Sequence, residues 1–301
     1  MSKPLVDIII VNYNNALDTI ECVKSLNRIT YDNYHVIIVD NGSSDSSVEV
    51  LCKEQDIVKY DLICLEDNKG FSAGNNAGIQ YAMQQEAQYV LLLNNDTLVQ
   101  PDFLTEMIVY LEGHEGCDAA IGKIYYADYP HRIWYAGGKL NMLTGKAKHC
   151  GYGKEELSFK EEKPSEVTFA TGCCICLKAS VINDVGFLDE DYFLYEEDSD
   201  YCYRMLRKGK HIIYIPSSII YHKVSASTGA VSPLTQYYTS RNRFLFISKN
   251  FEGINKVVAF IYSYLLMIKR CIYREINFKY TAKGIQAYYR GEKGKKTKGG
   301  I

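Results

Sequence analysis

The sequence of 301 residues lacks the two glycine-rich loops with which many α/β proteins hold phosphate. Neither a GxxxxGK[ST] loop nor a GxGxxG turn follows any predicted strand. These absences argue against a P-loop ATPase and against a dinucleotide-dependent dehydrogenase, because both need such a loop for the phosphates of their nucleotide. Any nucleotide diphosphate bound here must be neutralised in another way, for example by a divalent cation that carboxylates hold.

The sequence also lacks a signal peptide and a run of apolar residues long enough to cross a bilayer. The apolar run at residues 8–11 is too short for a signal peptide and precedes no cleavage site. A later run, Val257 to Ile268, has twelve residues, whereas a spanning helix needs about 20. We therefore expect a cytosolic protein whose ten cysteines are reduced.

A zinc site is not indicated either. Cys173, Cys174 and Cys176 form the motif "CCIC", but no second pair of ligands follows at a usable spacing. The residues around the motif are apolar, which favours a buried strand.

The first hundred residues alternate between strand and helix patterns. Four apolar runs, in "VDIIIVN", "YHVIIVD", "LIC" and "YVLLL", are typical of buried strands. Between them, apolar residues recur with helical spacing, as at Leu17, Ile20, Val23 and Leu26. Hydrophobic and charged contents of 47% and 23% are ordinary for a globular protein. The pattern predicts an α/β fold with a parallel sheet.

Polar residues follow all four predicted strands. A single polar strand end is explained by a turn or a helix cap. Four on one edge predict a binding site, because ligands of such sheets bind beyond the carboxyl ends of the strands. The residues are Asn12 and Asn14, Asp40 and Asn41, Asp67 and Asn68, and Asn94, Asn95 and Asp96.

The second half of the chain is less regular. Residues 128–157 contain glycine pairs and alternating aromatic residues, which predict hairpins or a long loop. One strand is predicted over Val167 to Leu177, and two short strands lie within residues 210–228, with His222 just after the second. Between these strands, residues 187–200 are rich in carboxylates and lead into a predicted helix that stops at Gly209. Capping and dipole effects explain only some of these acids.

Several short motifs occur along the chain in a fixed order: "VNYNN", "VDNGSSD", "NKGFSAGNNAGI", "LLLNNDT", "TGCCICLKASVINDVGFLDEDYFLYEEDSDYCYR", then "YH", "SAS" and "RNR". Together they resemble the family 2 glycosyltransferases with the GT-A fold, a Rossmann-like nucleotide-binding sheet fused to an acceptor-binding half. The similarity is greatest to the rhamnosyltransferase-like branch that builds bacterial surface polysaccharides. It covers residues 5–245, and the tail matches only loosely.

The resemblance implies that the polar strand ends bind a nucleotide diphosphate sugar. Asp40 would accept a hydrogen bond from N3–H of a pyrimidine, with Asn12 and Asn14 beside the base. Other donor-binding positions implied by the family are Gly70, Ala73 and Asn75, which would line the ribose and diphosphate.

The family's DxD motif corresponds to Asn94, Asn95 and Asp96, with asparagine in place of the first aspartate. Asp96 is then the sole carboxylate of the motif, so a metal ion needs another protein ligand. His222 matches the family position for that ligand. The resemblance thus implies that Asp96 and His222 bind Mg²⁺ or Mn²⁺.

The chemistry of sugar transfer explains why such residues are needed. A divalent cation stabilises the charge of the leaving diphosphate as a Lewis acid, and a base must activate the acceptor hydroxyl on the opposite face of the sugar. By resemblance Asp198 is that base, and Glu197 orients the acceptor. A single in-line displacement inverts the anomeric centre. Asp200 and Arg204, four residues apart on the predicted helix, are expected to brace one another.

Two other function classes stay open at this point. A nucleotidyltransferase has a similar α/β fold, but it needs a basic phosphate-binding loop after the first strand, and "NYNNALD" contains no basic residue. A non-catalytic sugar-binding relative is the second alternative. The presence of Asp96, Asp198 and His222 argues against it.

The predicted organisation has three parts. Residues 1–100 form a nucleotide-sugar-binding half, residues 101–245 an acceptor-binding and catalytic half, and residues 246–301 a helical tail. The donor is expected to be dTDP-L-rhamnose or a UDP-hexose, and the acceptor a glycan or a polyprenyl-diphosphate-linked saccharide, with no nucleic acid. Ten basic and two acidic residues in 269–301 give the tail a charge of +8, which suits peripheral contact with the cytoplasmic face of a membrane.

Overall fold

The computed structural model of the chain describes residues 3–55, 58–159, 163–224 and 232–296. The motif "SAS" at 225–227 and the last five residues of the basic tail lie outside these ranges. The strands are β1 (Val6–Asn12), β2 (Tyr34–Asp40), β3 (Asp61–Cys64), β4 (Tyr89–Asn94), β5 (Thr97–Val99), β6 (Ala119–Tyr126), β7 (Tyr129–Tyr135), β8 (Gly138–Leu140), β9 (Ala147–His149), β10 (Ser165–Val167), β11 (Cys174–Lys178) and β12 (Ile212–His222). The α-helices are α1 (Ala16–Leu26), α2 (Ser47–Glu54), α3 (Phe71–Gln84), α4 (Phe103–Gly113), α5 (Ala179–Val185), α6 (Glu197–Arg207), α7 (Pro233–Asn250), α8 (Gly253–Ile272) and α9 (Phe278–Tyr289).

A ten-stranded mixed sheet forms the centre of the fold. Its main path runs β10-β12-β6-β11-β4-β1-β2-β3, while β5 pairs with β12 and β7 with β6. The four strands β4, β1, β2 and β3 are parallel, as their sequence predicted. Ile8, Ile9 and Ile10 of β1 are fully buried, which explains why the strand is an uninterrupted apolar run.

Helix α3 packs very closely on the parallel strands. A Cβ atom at Gly78 would lie 2.5 Å from Cγ2 of Ile9 in β1, so a larger residue would push the helix off the sheet. This contact fixes the loop before α3 over the edge where the strands end.

Two strand predictions for the second half were wrong. The predicted strand from Val167 to Leu177 is divided into β10 and β11, because Thr168 and Phe169 donate their N–H groups to the carbonyl oxygen of Gly138 and leave the ladder. Conversely, β12 is one strand of eleven residues where two were predicted. Pro216 lies within a register shift between Ile215 and Ile219, so a bulge carries the strand past it.

The "CCIC" motif occupies the strand that was expected for it. Cys173, Cys174 and Cys176 are buried, and the last two belong to β11. Burial raises the pKa of each thiol, Cys176 to about 12, so these cysteines are inert, uncharged core residues.

The C-terminal helices pack on one another beside the sheet. The predicted boundary between the catalytic half and the tail, at residues 245 and 246, lies within helix α7. Gly284 of α9 lies so close to α7 that a Cβ atom there would be 2.4 Å from the carbonyl oxygen of Tyr237. Among the helices of the described ranges, none is both long and apolar enough to cross a membrane.

Candidate active site

A hydrogen-bonded network joins the ends of the parallel strands. Nδ2 of Asn12, the last residue of β1, donates to Oδ1 of Asp40, the last residue of β2, over 2.7 Å. Thr19 of α1 donates from Oγ1 to Oδ1 of Asn12 over 2.8 Å. Asn95, which follows β4, donates in turn to Oγ1 of Thr19 over 3.0 Å. The strand ends therefore meet at one edge of the sheet, as predicted.

The loop after β2 surrounds the carboxylate of Asp40. Oδ2 accepts from the N–H of Ser43 at 2.9 Å, and Oδ1 accepts from the hydroxyl of the same residue at 2.6 Å. Asn14, which has a left-handed φ of 54°, accepts from the N–H of Ser44 at 2.8 Å and ties this loop to the one after β1. A carboxylate oxygen can accept two hydrogen bonds, and Oδ2 of Asp40 accepts one from the described residues, so it has capacity for one further donor. The contact with a pyrimidine base stays a prediction.

Gly70 lies at the entry to α3, directly against Phe193 of the carboxylate-rich segment. Its φ is 96°, and a Cβ atom would lie 2.4 Å from the carbonyl oxygen of Phe193, so only glycine fits. Ala73 and Asn75 are buried in the first turns of α3, where Nδ2 of Asn75 donates to the carbonyl oxygen of Phe71 over 2.9 Å. The structure gives these residues packing roles, and their contact with a donor stays a prediction.

Asp96 and His222 lie side by side because of strand pairing. Antiparallel β5 and β12 place Thr97 opposite His222, which brings the preceding residue, Asp96, to the imidazole. Oδ1 of Asp96 lies 3.1 Å from Nε2 of His222, and both residues are buried. Trp134 packs its ring edge-on against the imidazole at a centroid distance of 4.6 Å. Of the motif "NND", Asp96 is the residue paired with His222, while Asn95 bonds to α1.

This pair offers a divalent cation one carboxylate and one imidazole. Within the described residues, no group of three or more His, Cys, Asp or Glu side chains is arranged to hold a metal ion. The other coordination positions would therefore have to come from phosphate oxygens of the donor and from water. Mg²⁺ in proteins is often held by one or two carboxylates together with substrate phosphates. Asp96 follows that pattern, and His222 would add a nitrogen ligand. The two side chains fit an ion that binds with a nucleotide diphosphate.

Asp198 and Glu197 lie in the first turn of α6, with different surroundings. The carboxylate of Asp198 accepts from the N–H of Ser199 at 2.7 Å and from the N–H of Gly172 at 3.4 Å. Burial raises the pKa of Asp198, and these hydrogen bonds oppose the rise. Burial and the charge of Asp198 raise the pKa of Glu197 well above its usual range. Of the two side chains, Asp198 has the hydrogen bonds that favour the ionised form. The ionised form is the one that a base needs.

Two adjacent residues connect Asp198 to the Asn94–Asp96 segment. Gly172 donates its N–H to Asp198, and the carbonyl oxygen of Cys173 accepts from the N–H of Asn94 at 2.8 Å. This short stretch of backbone before β11 therefore fixes the predicted base relative to the predicted metal ligand.

A strained turn precedes the helix that carries Asp198. Tyr195 and Glu196 both have left-handed φ angles, 71° and 72°. Each such non-glycine residue costs about 1–3 kcal/mol, so surrounding contacts must enforce it. Nδ2 of Asn242, in α7, donates to the carbonyl oxygens of Leu194 at 2.8 Å and Tyr195 at 2.9 Å. Helix α7 thus clamps the turn.

Glu196 faces Arg243, the next residue of α7. Its carboxylate lies 3.9 Å from Nη1 of Arg243. Burial raises the pKa of Glu196 to about 7, although the guanidinium opposes this rise. Arg243 also donates to the carbonyl oxygens of Thr144 and Gly145, so it joins α7 to the β8–β9 hairpin. Glu196 and Arg243 border a cavity of about 170 Å³ whose far wall is α8.

Some residues at the site had no predicted role. Asn242 and Arg243 belong to "RNR", a motif that the sequence singled out without a function. Trp134 had no sequence signal, since its place beside His222 depends on how β7 folds onto β6. The predicted brace between Asp200 and Arg204 is present, with Nε 2.7 Å from Oδ2.

Comparison with known proteins decides the family. The family model "Glycosyl transferase family 2" matches residues 7–186, more than half of the chain. The chain belongs to glycosyl transferase family 2. The predicted family is thereby confirmed, and the protein is a glycosyltransferase.

Two relatives of this glycosyltransferase are named as sugar transferases, one of them in glycan biosynthesis. The dTDP-rhamnosyl transferase RfbF of Shigella flexneri is 27% identical over 250 residues, which are 80% of this chain and 79% of the relative. The low-salt glycan biosynthesis hexosyltransferase Agl10 of Haloferax volcanii is 27% identical over 295 residues, covering 92% and 88% of the two chains.

Solved structures confirm the GT-A fold. The mannosyltransferase PcManGT of Pyrobaculum calidifontis, solved with GDP-Man and Mn²⁺, superposes with a TM-score of 0.60 at 14% identity, over 96% of this chain and 76% of that one. GalNAc-T7, solved with UDP, GalNAc and Mn²⁺, gives a TM-score of 0.61 at 14% identity. The match covers 79% of this chain but only 48% of GalNAc-T7. Similarity at this level establishes the fold alone.

Proposed function

We propose that this glycosyltransferase moves a sugar, with inversion, from a pyrimidine nucleotide diphosphate to an acceptor hydroxyl, and that the reaction depends on a divalent cation. One observation carries the proposal: a carboxylate, Asp198, is joined through Gly172 and Cys173 to the segment that holds Asp96 beside His222. A base and a cation-binding pair fixed in one frame are what a single displacement at a sugar–diphosphate bond requires.

The donor binds, in this proposal, over the strand ends. Asn12, Asn14 and Asp40 surround the base, and Gly70, Ala73 and Asn75 line the approach to α3. Asp96 and His222 hold Mg²⁺ or Mn²⁺, which when bound neutralises the diphosphate as a Lewis acid. The name of the Shigella relative favours dTDP-L-rhamnose, with UDP-hexoses as the alternative.

Asp198 takes the proton of the acceptor hydroxyl as that oxygen attacks the anomeric carbon. Its hydrogen bonds from Ser199 and Gly172 stabilise the carboxylate before the reaction and fix its direction. Neutral Glu197, with its high pKa, can donate a hydrogen bond to the acceptor and so orient it. Asn242 holds the turn that precedes α6, the helix that carries both carboxyl groups.

We further propose that α8 rests on the cytoplasmic face of a membrane and brings the enzyme to a lipid-linked acceptor. Six apolar residues form one stripe along this helix and are 50% to 73% exposed: Ile254, Val257, Ile261, Leu265, Ile268 and Ile272. Lys269, Arg270 and Arg274 lie at its C-terminal end, and α9 adds Lys279 and Lys283. An apolar stripe beside cations suits the surface of an anionic bilayer.

A panel of nucleotide sugars tests the catalytic proposal. The protein is incubated with Mn²⁺ and each of several UDP-, dTDP- and GDP-sugars, and the release of nucleoside diphosphate is measured. We expect release from dTDP-L-rhamnose or from a UDP-hexose, and much less from the Asp198→Asn variant. A nucleotidyltransferase would instead release pyrophosphate from a nucleoside triphosphate and a sugar phosphate. A non-catalytic relative would bind a nucleotide sugar and release nothing.

A further inference from the structure

The β8–β9 hairpin places two lysines directly opposite each other. Antiparallel pairing aligns Lys139 with Lys148. Side chains in such a pair have their Cβ atoms about 4.5–5.5 Å apart, and like charges there destabilise the hairpin. Both side chains are exposed, so packing does not require lysine at either position. A bound anion would relieve this repulsion.

Both lysines line one cavity of about 650 Å³, together with a third lysine, Lys154. Among the residues that the structure describes, no carboxylate forms an ion pair with any of the three. Glu156, close to Lys154 in sequence, is engaged by the hydroxyl of Tyr125 and lies 3.9 Å from the ammonium of Lys123. The cavity is therefore a region of positive charge without an internal counter-ion from the described residues.

Aromatic contacts connect this cavity to the predicted active site. His149, in its wall, packs edge-on against Trp134 at 4.8 Å between ring centroids, and Trp134 packs against His222 at 4.6 Å. Tyr152, also in the wall, is 60% exposed and offers a ring beside the lysines. Small-molecule sites are usually lined by apolar and aromatic residues with a few polar groups. Here lysines replace much of the apolar lining, which suits an anionic ligand that also offers a ring face to Tyr152.

We propose that this cavity binds the negatively charged group, carboxylate or phosphate, of an anionic acceptor saccharide. The proposal rests on the proposed function, which puts the donor diphosphate at Asp96 and His222. Trp134 stands between that position and the cavity, so the lysines serve a second anion. The positive charge of the lysines would attract anionic acceptors and so select them over neutral ones of the same shape.

Fluorescence of Trp134 provides a direct test, because it is the only tryptophan in the chain. The full-length protein is titrated, in EDTA, with glucuronic acid, glucose 6-phosphate, neutral glucose and inorganic phosphate. We expect saturable changes in emission with glucuronic acid, glucose 6-phosphate or both, and little change with glucose. A response to one of the two charged sugars alone identifies the preferred anion as carboxylate or phosphate, and a response to both shows that the cavity accepts either.

The variant Lys139→Ala/Lys148→Ala should weaken that binding about tenfold. The matched control is Lys53→Ala, at an exposed lysine near the end of α2, which should leave the binding unchanged. Removing either or both of the facing charges ends the repulsion between them. Lys139→Ala, Lys148→Ala and the double variant should therefore unfold at or above the wild-type temperature. Binding is compared in every variant of the three that does so.

Three results would overturn the inference. The first is an equal response to glucose and the charged sugars, and the second is equal binding of inorganic phosphate and glucose 6-phosphate. The third is a lysine-dependent response to UDP or dTDP, which would assign the cavity to the donor. The proposed function is tested separately by thermal stabilisation with a nucleotide sugar and Mn²⁺. If that stabilisation persists while no anionic sugar binds, only the inference of an anionic acceptor fails.

Discussion

Nε2 of His222 lies 3.1 Å from Oδ1 of Asp96, although the two residues are separated by more than 120 positions in the chain. The antiparallel pairing of β5 and β12 produces this contact. In the proposed function this contact matters because Asn94 takes the place that the resemblance gives to an aspartate, so a cation held by Asp96 would need a second protein ligand from a distant strand. The pair is the most direct target for testing metal dependence.

Replacement of Asp96 by alanine should abolish metal-dependent binding of the donor nucleotide. At a ligand concentration of 100 Kd, a nucleotide that binds the folded state stabilises it by about 2.7 kcal/mol. We expect wild-type protein with Mn²⁺ to show such a rise in melting temperature with UDP or dTDP, and Asp96→Ala to show none. His222→Ala should show a reduced rise, and EDTA should reproduce the loss.

Asp128→Ala, at an exposed carboxylate outside the site, is the control for that experiment and should behave as wild type. Nucleotide binding that survives both EDTA and Asp96→Ala would contradict the assignment, and "NND" would then be a turn.

Asp198→Asn should lower turnover about 10²–10⁴-fold, the usual loss when a general base is removed, while donor binding is retained. Burial raises the pKa of Asp198, so the wild-type rate should fall as pH decreases through a value above the ordinary range of aspartate. The variant should lack this part of the pH profile. Steady-state rates across pH provide the measurement, with Asp184→Asn as a surface control. A variant that keeps a third of the wild-type rate would remove Asp198 from the role.

Glu196→Gln should stabilise the protein in alkaline but not in acidic buffer. The pKa of Glu196 is about 7 in the folded state, against an ordinary value of 4.5. Between these values the folded state binds more protons than the unfolded state, so the free energy of unfolding falls as pH rises. Glutamine removes this loss, which is on the order of 1–3 kcal/mol.

Urea unfolding at pH 5 and pH 8 provides the measurement for Glu196→Gln. We expect the variant to exceed wild type at pH 8 and to approach it at pH 5. A difference that is the same at both values, or that is larger at pH 5, would show that Glu196 is not a buried acid with a raised pKa.

Ile261→Asp/Leu265→Asp should reduce binding to anionic vesicles, because both residues lie in the exposed stripe of α8. Wild-type protein should sediment with vesicles that contain phosphatidylglycerol, bind neutral vesicles little, and be released by salt, since the Debye length is about 10 Å at 0.1 M. Val109→Asp changes an equally exposed apolar residue of α4 and should have no effect. Equal binding to neutral and anionic vesicles would contradict a charged membrane contact. Unchanged binding by the α8 variant would exclude the stripe.

Much of the structure of residues 1–100 could be predicted because its signals are local. A buried parallel strand must be apolar throughout, and its end is marked by the first polar residue, as at Asn12 and Asp40. Helical spacing then separates the strands, and parallel pairing brings their ends together without further information. The polar edge of the sheet follows from these rules alone.

The second half could not be predicted equally well because its strands depend on distant partners. Thr168 and Phe169 have the composition of a strand, yet Gly138 captures their N–H groups and ends the ladder. Pro216 looks like a strand boundary, yet a bulge accommodates it. The motifs quoted for the family made Asp198 and His222 candidate site residues, and their roles stay predictions. The clamp from Asn242 to Tyr195 had no such signal, because it depends on tertiary packing.

Strands β4 and β11 hydrogen-bond through five residue pairs, so the segments before and after residue 100 share one sheet. These two segments cannot open about a hinge between them, because opening would break the buried hydrogen bonds between β4 and β11. The relative position of Asp96 and Asp198 is consequently decided when the chain folds. In the proposed function, substrates therefore bind a site that is already arranged, and little of their binding energy is used to arrange it.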